Sequence, residues 1–196
     1  MKKTLLGLML SATLLAGATL TAQAADTSNG TVGFEAGSLI IDNGDDGMNA
    51  TDLDFGTNKI TNSDETVTND NSSAQITVND LRGSNAGWNL GVSQDAQFTY
   101  TSGSKTYTLD NAAITLNGVL ASTSTDGVGS TVNSGVLLTP GSGTEQLMSA
   151  TSGNGNGKSV ADISTSTLKI PGATAKVQGS YTTTLTWDLN SGVAND

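Results

Sequence analysis

Neither cysteine nor histidine occurs anywhere in the chain, prolines number two, and eight basic residues face eighteen acidic ones. Without cysteine there is no disulfide, no thiol nucleophile and no lipid-bearing side chain, so stability must come from packing. Without cysteine or histidine the usual zinc ligand sets and the histidine-centred triads are excluded. The few lysines and arginines form no stripe, and the net charge is −10. Nucleic acid and anionic lipid are therefore poor partners, because both are held by clustered cations. Aromatic residues make up only 4% of the chain, so Val, Ile and Leu must supply the core.

The first residues read as an export signal. Lys2 and Lys3 precede an apolar run from Leu5 to Leu20, which ends at the small-residue site Ala22-Gln23-Ala24. That layout predicts a signal peptide over residues 1–24, cleaved after Ala24, rather than a retained membrane span. Residues 25–196 then fit one domain. Loss of Lys2 and Lys3 would take the formal charge from −10 to −12.

Beyond that point Thr, Ser, Asn, Asp and Gly dominate, with short runs of alternating apolar residues and no sustained helical period. The alternation predicts strands over Gly37–Ile41, Ala74–Val78, Gly87–Val92, Gln97–Thr101, Thr106–Leu109, Ala113–Leu116, Val136–Thr139, Thr167–Ile170 and Tyr181–Leu189. Asn43-Gly44, Asp46-Gly47, Ser102-Gly103, Asn117-Gly118, Asp126-Gly127 and Pro171-Gly172 mark turns. The expected fold is all-β, an antiparallel β-sandwich or a partly closed barrel of about nine strands. Leu147–Val160, with its glycine-asparagine tract, reads as a flexible surface loop, and Thr144–Ser149 as one helical turn. Asp42–Asp64 reads as an acidic loop followed by a strand at Leu53-Asp54-Phe55-Gly56.

Most chemical signals fail on inspection, and no enzyme activity is expected. Ser102-Gly103-Ser104-Lys105 and Ser166-Thr167-Leu168-Lys169 match S-x-x-K but lack its companion motifs. Gly153-Asn154-Gly155-Asn156-Gly157-Lys158-Ser159 has Ser152 where a phosphate loop needs its leading glycine. Asp42, Asp45, Asp46, Asn49, Asp52 and Asp54 are oxygen donors suited at most to a weak surface Ca²⁺, since Gly44 and Leu53 break the EF-hand spacing. A glycosidase needs two carboxylates across a cleft, and nothing in the pattern locates such a pair.

One short motif occurs twice. Trp88-Asn89-Leu90 lies in the first half and Trp187-Asp188-Leu189 near the C-terminus. In the second, Tyr181, Thr183, Leu185, Trp187 and Leu189 share one strand face, and in the first Trp88, Leu90 and Val92 do the same. Such stripes are commonly core, with both tryptophans as packing anchors. The alternative makes one or both indoles a stacking platform for sugar rings, and an intermediate reading buries the strands while Asn89 and Asp188 line a groove.

The pair and its flanks resemble the WxL domain of surface proteins from low-GC Gram-positive bacteria. Ile76-Thr77-Val78-Asn79-Asp80-Leu81-Arg82-Gly83, followed by Gly87-Trp88, is similar to the family's strand, Asp-x-Arg-Gly turn and Gly-Trp sequence. Gly179-Ser180-Tyr181 leading to Leu185-Thr186-Trp187-Asp188-Leu189 is similar to its Gly-x-Tyr-x-x-x-Leu-x-Trp-x-Leu ending, and Leu53-Asp54-Phe55-Gly56 also fits. The resemblance implies a secreted protein retained at the cell surface by non-covalent attachment to peptidoglycan or another wall glycan, with other surface-complex proteins as partners. Its binding motifs would be Trp88, Asn89, Leu90, Tyr181, Leu185, Trp187, Asp188 and Leu189. The chain shows no sortase signal, no lipidated cysteine and no C-terminal span, which agrees with non-covalent retention. The alternative is a structural or adhesive subunit that holds a partner protein or host ligand.

Overall fold

A computed structural model describes residues 27–42, 52–125 and 129–192. The chain divides into residues 1–34 and residues 35–196, and all regular structure described lies in the second unit. The expected signal peptide and the turns at Asn43-Gly44, Asp46-Gly47 and Asp126-Gly127 lie wholly or mostly outside the described residues.

Among the described residues there are fourteen strands and no helix. In chain order they are β1 (Leu39–Ile41), β2 (Glu65–Thr68), β3 (Gln75–Asp80), β4 (Trp88–Gln94), β5 (Thr99–Ser102), β6 (Lys105–Thr108) and β7 (Ala113–Asn117). There follow β8 (Val119–Leu120), β9 (Ser130–Val132), β10 (Ser134–Leu138), β11 (Glu145–Ala150), β12 (Gly157–Asp162), β13 (Thr167–Ile170) and β14 (Leu185–Ser191). They form three four-stranded sheets, ordered β1-β3-β12-β8, β10-β7-β13-β2 and β14-β4-β11-β9, and a separate β5-β6 hairpin. Every pairing is antiparallel, and among the described residues each sheet is open at both edges. The architecture is of the sandwich type, with more and shorter strands than the hydrophobic pattern predicts.

One apolar cluster joins the three sheets. Ile76 and Val78 enter it from β3, Trp88, Leu90 and Val92 from β4, Ile114 and Leu116 from β7, Leu147 and Met148 from β11, and Leu168 from β13. Each such side chain stabilises the fold by roughly 1.5–3 kcal/mol through loss of contact with water. This aliphatic packing does the work that disulfides perform in many exported domains.

Three local expectations are overturned. Thr144–Ser149 is not a helical turn: β11 runs through it, paired with β4 on one side and β9 on the other, with Leu147, Met148 and Ala150 buried. Backbone bonds on both sides of a buried segment outweigh a weak local preference for helix. Leu147–Val160 is not one surface loop, because its ends belong to β11 and β12 and only residues 151–156 connect them. Within that connection Gly155 is buried and its carbonyl accepts the Trp88 indole N–H at 3.0 Å. Leu53-Asp54-Phe55-Gly56 is not a strand either. The Asp54 N–H donates to Asn69 Oδ1 at 2.7 Å, its carbonyl accepts from Asp70 N at 2.6 Å, and Gly56 turns away at φ +66°. The alternation there is real, since Leu53 and Phe55 pack against the core, but the segment is an irregular strap.

The turn between β3 and β4 is closed by a charged clasp. Arg82 makes two hydrogen bonds of 2.8 Å to the two carboxylate oxygens of Asp80, whose side chain is fully buried, and a third of 2.9 Å to the Gly87 carbonyl. It also donates to the Ser191 hydroxyl, so one guanidinium ties the end of β3, the start of β4 and the end of β14. Hydrogen bonding from Arg82 outweighs the desolvation of Asp80 and holds its carboxyl below the ordinary aspartate range. A carboxylate whose pKa is lowered by folding contributes stability above its unfolded value. That contribution is fully present above about pH 4 and is lost as the pH falls through the depressed folded value.

Two stability predictions follow from this packing. Gly155→Ala sets a methyl group 2.3 Å from Ala150 Cβ and 2.6 Å from the indole nitrogen, at φ +77°. Urea titration should show a loss of roughly 2–4 kcal/mol, the sum of overpacking and backbone strain. Arg82→Ala leaves the Asp80 carboxylate buried and unpaired and should cost roughly 2–4 kcal/mol at pH 7. The deficit against the parent chain should shrink in an acid denaturation series, as the pH falls through the raised folded-state value of the variant's unpaired Asp80 toward the depressed one of the parent.

Candidate functional site

The two tryptophan motifs are neighbours in space. β14 pairs antiparallel with β4 along its whole length, setting Leu189 opposite Leu90, Asp188 opposite Gly91, Trp187 opposite Val92 and Ser191 opposite Trp88. Trp88 therefore stands at one end of the ladder and Trp187 two residues in from the other, and their surroundings differ. Trp88 is completely buried, with Leu90 and Val92 beside it, and its indole N–H is satisfied by Gly155. Trp187 is half-buried, as are Leu185 and Leu189 on the same face, while Thr186, Asp188 and Asn190 on the other face are exposed. Asn89 is half-buried and its amide donates to the Gly192 carbonyl at 3.4 Å, so it closes the end of the ladder.

Trp187 opens onto a cleft of about 1070 Å³ between the strap at residues 52–60 and the segment 176–187. Leu53 and Phe55 form one wall, and Tyr181, Leu185 and Trp187 the other. Phe98, Leu109, Ile114, Leu168 and Ile170 line it deeper in the fold. Polar residues are interspersed among these: Asp54, Lys59, Glu65, Gln178, Ser180, Thr182, Thr183 and Thr184. An apolar concavity with a few polar groups is what a small-molecule or sugar site requires.

The cleft walls are locally fixed. The Tyr181 hydroxyl accepts from Val177 N at 3.1 Å and donates to Val177 O at 3.3 Å, folding 177–181 into a tight corner. Gly179 is required there, because a Cβ at that position would lie 2.3 Å from the Tyr100 ring. Tyr100 in turn lies 5.6 Å from Tyr181 and stacks on Tyr107 at 6.3 Å, with Lys105 Nζ 4.7 Å above the Tyr107 ring. Lys176 donates to the carbonyls of Thr61, Pro171 and Thr174 at 3.2, 3.2 and 3.4 Å, which ties the two sides of the cleft together. On the strap side Phe55 meets Phe98 edge to face at 6.4 Å.

The structure thus separates the motif residues. Tyr181, Leu185 and Trp187 line the cleft, Trp88 and Leu90 build the core, and Asn89, Asp188 and Leu189 lie along the ladder away from the cavity. Phe55, Phe98 and the hydroxyl-rich run 182–184 belong to the cleft but carried no separate binding signal; only the Leu53/Phe55 alternation hinted at a buried wall.

The other chemical candidates separate in the same way. The Ser166 hydroxyl is buried and donates to the Ile163 carbonyl at 2.7 Å, and Ser102 and Lys105 face one another across the β5-β6 turn. Asp45, Asp46 and Asn49 lie outside the described residues. Asp42 accepts from the Asn79 amide at 2.6 Å and Asp54 from Gly56 N at 2.9 Å. Among the described residues no three acidic side chains are grouped to hold a metal ion.

The unequal burial of the indoles is directly measurable. In a Trp88→Phe variant the remaining Trp187 fluorescence should be quenched readily by acrylamide, whereas in Trp187→Phe the remaining Trp88 should resist quenching. Trp88→Phe should also lower stability by roughly 1–3 kcal/mol, because it leaves the buried Gly155 carbonyl unpaired.

No curated protein matches the chain. A family model described as the WxL domain, surface cell wall-binding, matches residues 21–192. That span takes in both tryptophan motifs, the Asp80–Arg82 clasp and the whole cleft. On this match the chain belongs to the WxL family of cell wall-binding surface domains.

Proposed function

We propose that the domain holds its protein at the cell surface by binding peptidoglycan non-covalently in the cleft between the strap and the 176–187 segment, as part of a multi-protein surface assembly. The observation that carries this reading is the half-buried Trp187 beside Tyr181 in a cavity of about 1070 Å³. A sugar ring presents C–H groups on its faces and hydroxyls at its rim. An indole face suits the first, and polar residues of the lining such as Ser180 and Gln178 suit the second. The partly fixed walls reduce the ordering cost of binding.

Charge acts against long-range attraction. A chain of net charge −10 is repelled by anionic wall polymers, so binding rests on short-range stacking and hydrogen bonds rather than on electrostatic steering. No group in the cleft is assigned a catalytic role, and no cofactor enters the reading. A loosely held surface Ca²⁺ near the acidic loop would be incidental to it.

Sedimentation of the purified protein with peptidoglycan freed of teichoic acids tests the proposal. Binding should survive teichoic acid removal, should not fall when NaCl is raised, and should release no soluble wall fragments. Trp187→Ala should weaken it about tenfold, the scale of one lost aromatic stacking contact. A steep loss with NaCl, or unchanged binding by Trp187→Ala, would contradict the cleft as the binding site.

A further inference from the structure

Among the described residues β14 is the longest edge strand, seven residues against five or fewer for β1, β2, β8, β9 and β10. Among the described residues no strand pairs with its outer side. Its backbone orientation is fixed by flanking bonds: the Thr184 carbonyl accepts from Asp95 N at 3.0 Å, and Gly192 N donates to the Gly87 carbonyl at 3.0 Å. In an antiparallel ladder such groups alternate. Thr186, Asp188 and Asn190 therefore turn their N–H and C=O toward β4, and Leu185, Trp187, Leu189 and Ser191 turn theirs outward.

An open edge of this length is normally blunted by lysine, proline or a bulge. β14 contains neither residue, and its register against β4 runs without a shift. The one charged side chain on it, Asp188, is exposed at the middle of the strand. That charge disfavours a second copy of the chain, because the antiparallel register that pairs all seven residues sets Asp188 against Asp188.

We infer that β14 is a docking edge for an extended segment of another protein, which adds a fifth strand to the β14-β4-β11-β9 sheet. Its backbone bonds to the outward groups of Leu185, Trp187, Leu189 and Ser191, and a Lys or Arg stands opposite Asp188. Main-chain bonds supply affinity in this mode, and the side chain facing Asp188 supplies selectivity. The net charge of −10 adds to the preference for a basic partner segment. This edge adjoins the cleft, since the side chains of Leu185 and Trp187 line it, but docking uses their backbone groups and does not rest on glycan binding.

The probe is an eight-residue peptide alternating Val and Thr, with Lys at a central Thr position, compared with the same peptide carrying Asp there. Amide hydrogen exchange of the protein is followed by NMR. The Lys peptide should slow exchange at Leu185, Trp187, Leu189 and Ser191, and should bind roughly tenfold more tightly than the Asp peptide, the combined effect of a cross-strand attraction and a repulsion. Asp188→Lys, an exposed change that leaves the ladder to β4 intact, should reverse that order. A Lys peptide N-methylated on the amides that face β14 should lose binding. Equal affinity for the two peptides, or binding without protection of those four amides, overturns the inference. So does protection of the same amides by the protein's own self-association in the absence of peptide.

Discussion

The antiparallel ladder between β4 and β14 is the constraint on which the rest of this molecule depends. β4 is an inner strand, and its neighbours β11 and β14 both come from much later in the chain, the second from its end. Trp88 lies at one end of the ladder, sealed by the Gly155 carbonyl, and the Asp80–Arg82 clasp grips the same end through Gly87 and Ser191. Toward the other end, two residues before it, Trp187 emerges at the cleft. A chain that joins its first half to its last strand closes a long loop before it gains the contacts that reward closure. The density of packing and polar satisfaction around Trp88 is the compensation available to a protein without disulfides.

The same ladder explains how one short motif repeated in the sequence can do two things. At Trp88 the alternation directs the indole between sheets, where a glycine connection covers it. At Trp187 the strand is at an edge, no such cover exists among the described residues, and the indole contributes to an open cavity. Position in the sheet, inner or edge, therefore decides the role of the side chain. Packing and polar satisfaction thus concentrate at the Trp88 end of the ladder, while the cleft opens toward the other.

The charge distribution fits this division. The buried ion pair at Asp80 and Arg82 is structural and hydrogen-bonded at both carboxylate oxygens, whereas most of the other acidic side chains among the described residues lie exposed, a charge that does not favour polyanions. The recognition proposed above is accordingly one of short-range contacts, with a glycan or a β-strand partner.

Much of the fold was legible from alternation and turn residues: Thr167–Ile170 is a strand with the same limits, and seven of the other eight expected strands overlap an observed one closely, while the last starts at Leu185 rather than Tyr181. The sequence by itself determined the all-β class, the absence of metal-thiol and histidine chemistry, and the pairing of large apolar groups on the faces of both tryptophan strands, because these depend only on residue type and a period of two. Only the tertiary structure decided that Glu145–Ala150 is a strand and that Gly155 covers an indole. Likewise it decided that Leu53 and Phe55 form a strap, and that Trp187 rather than Trp88 faces a cleft. Each of those depends on which segment lies alongside another far away in the chain, and local pattern carries no record of that neighbour.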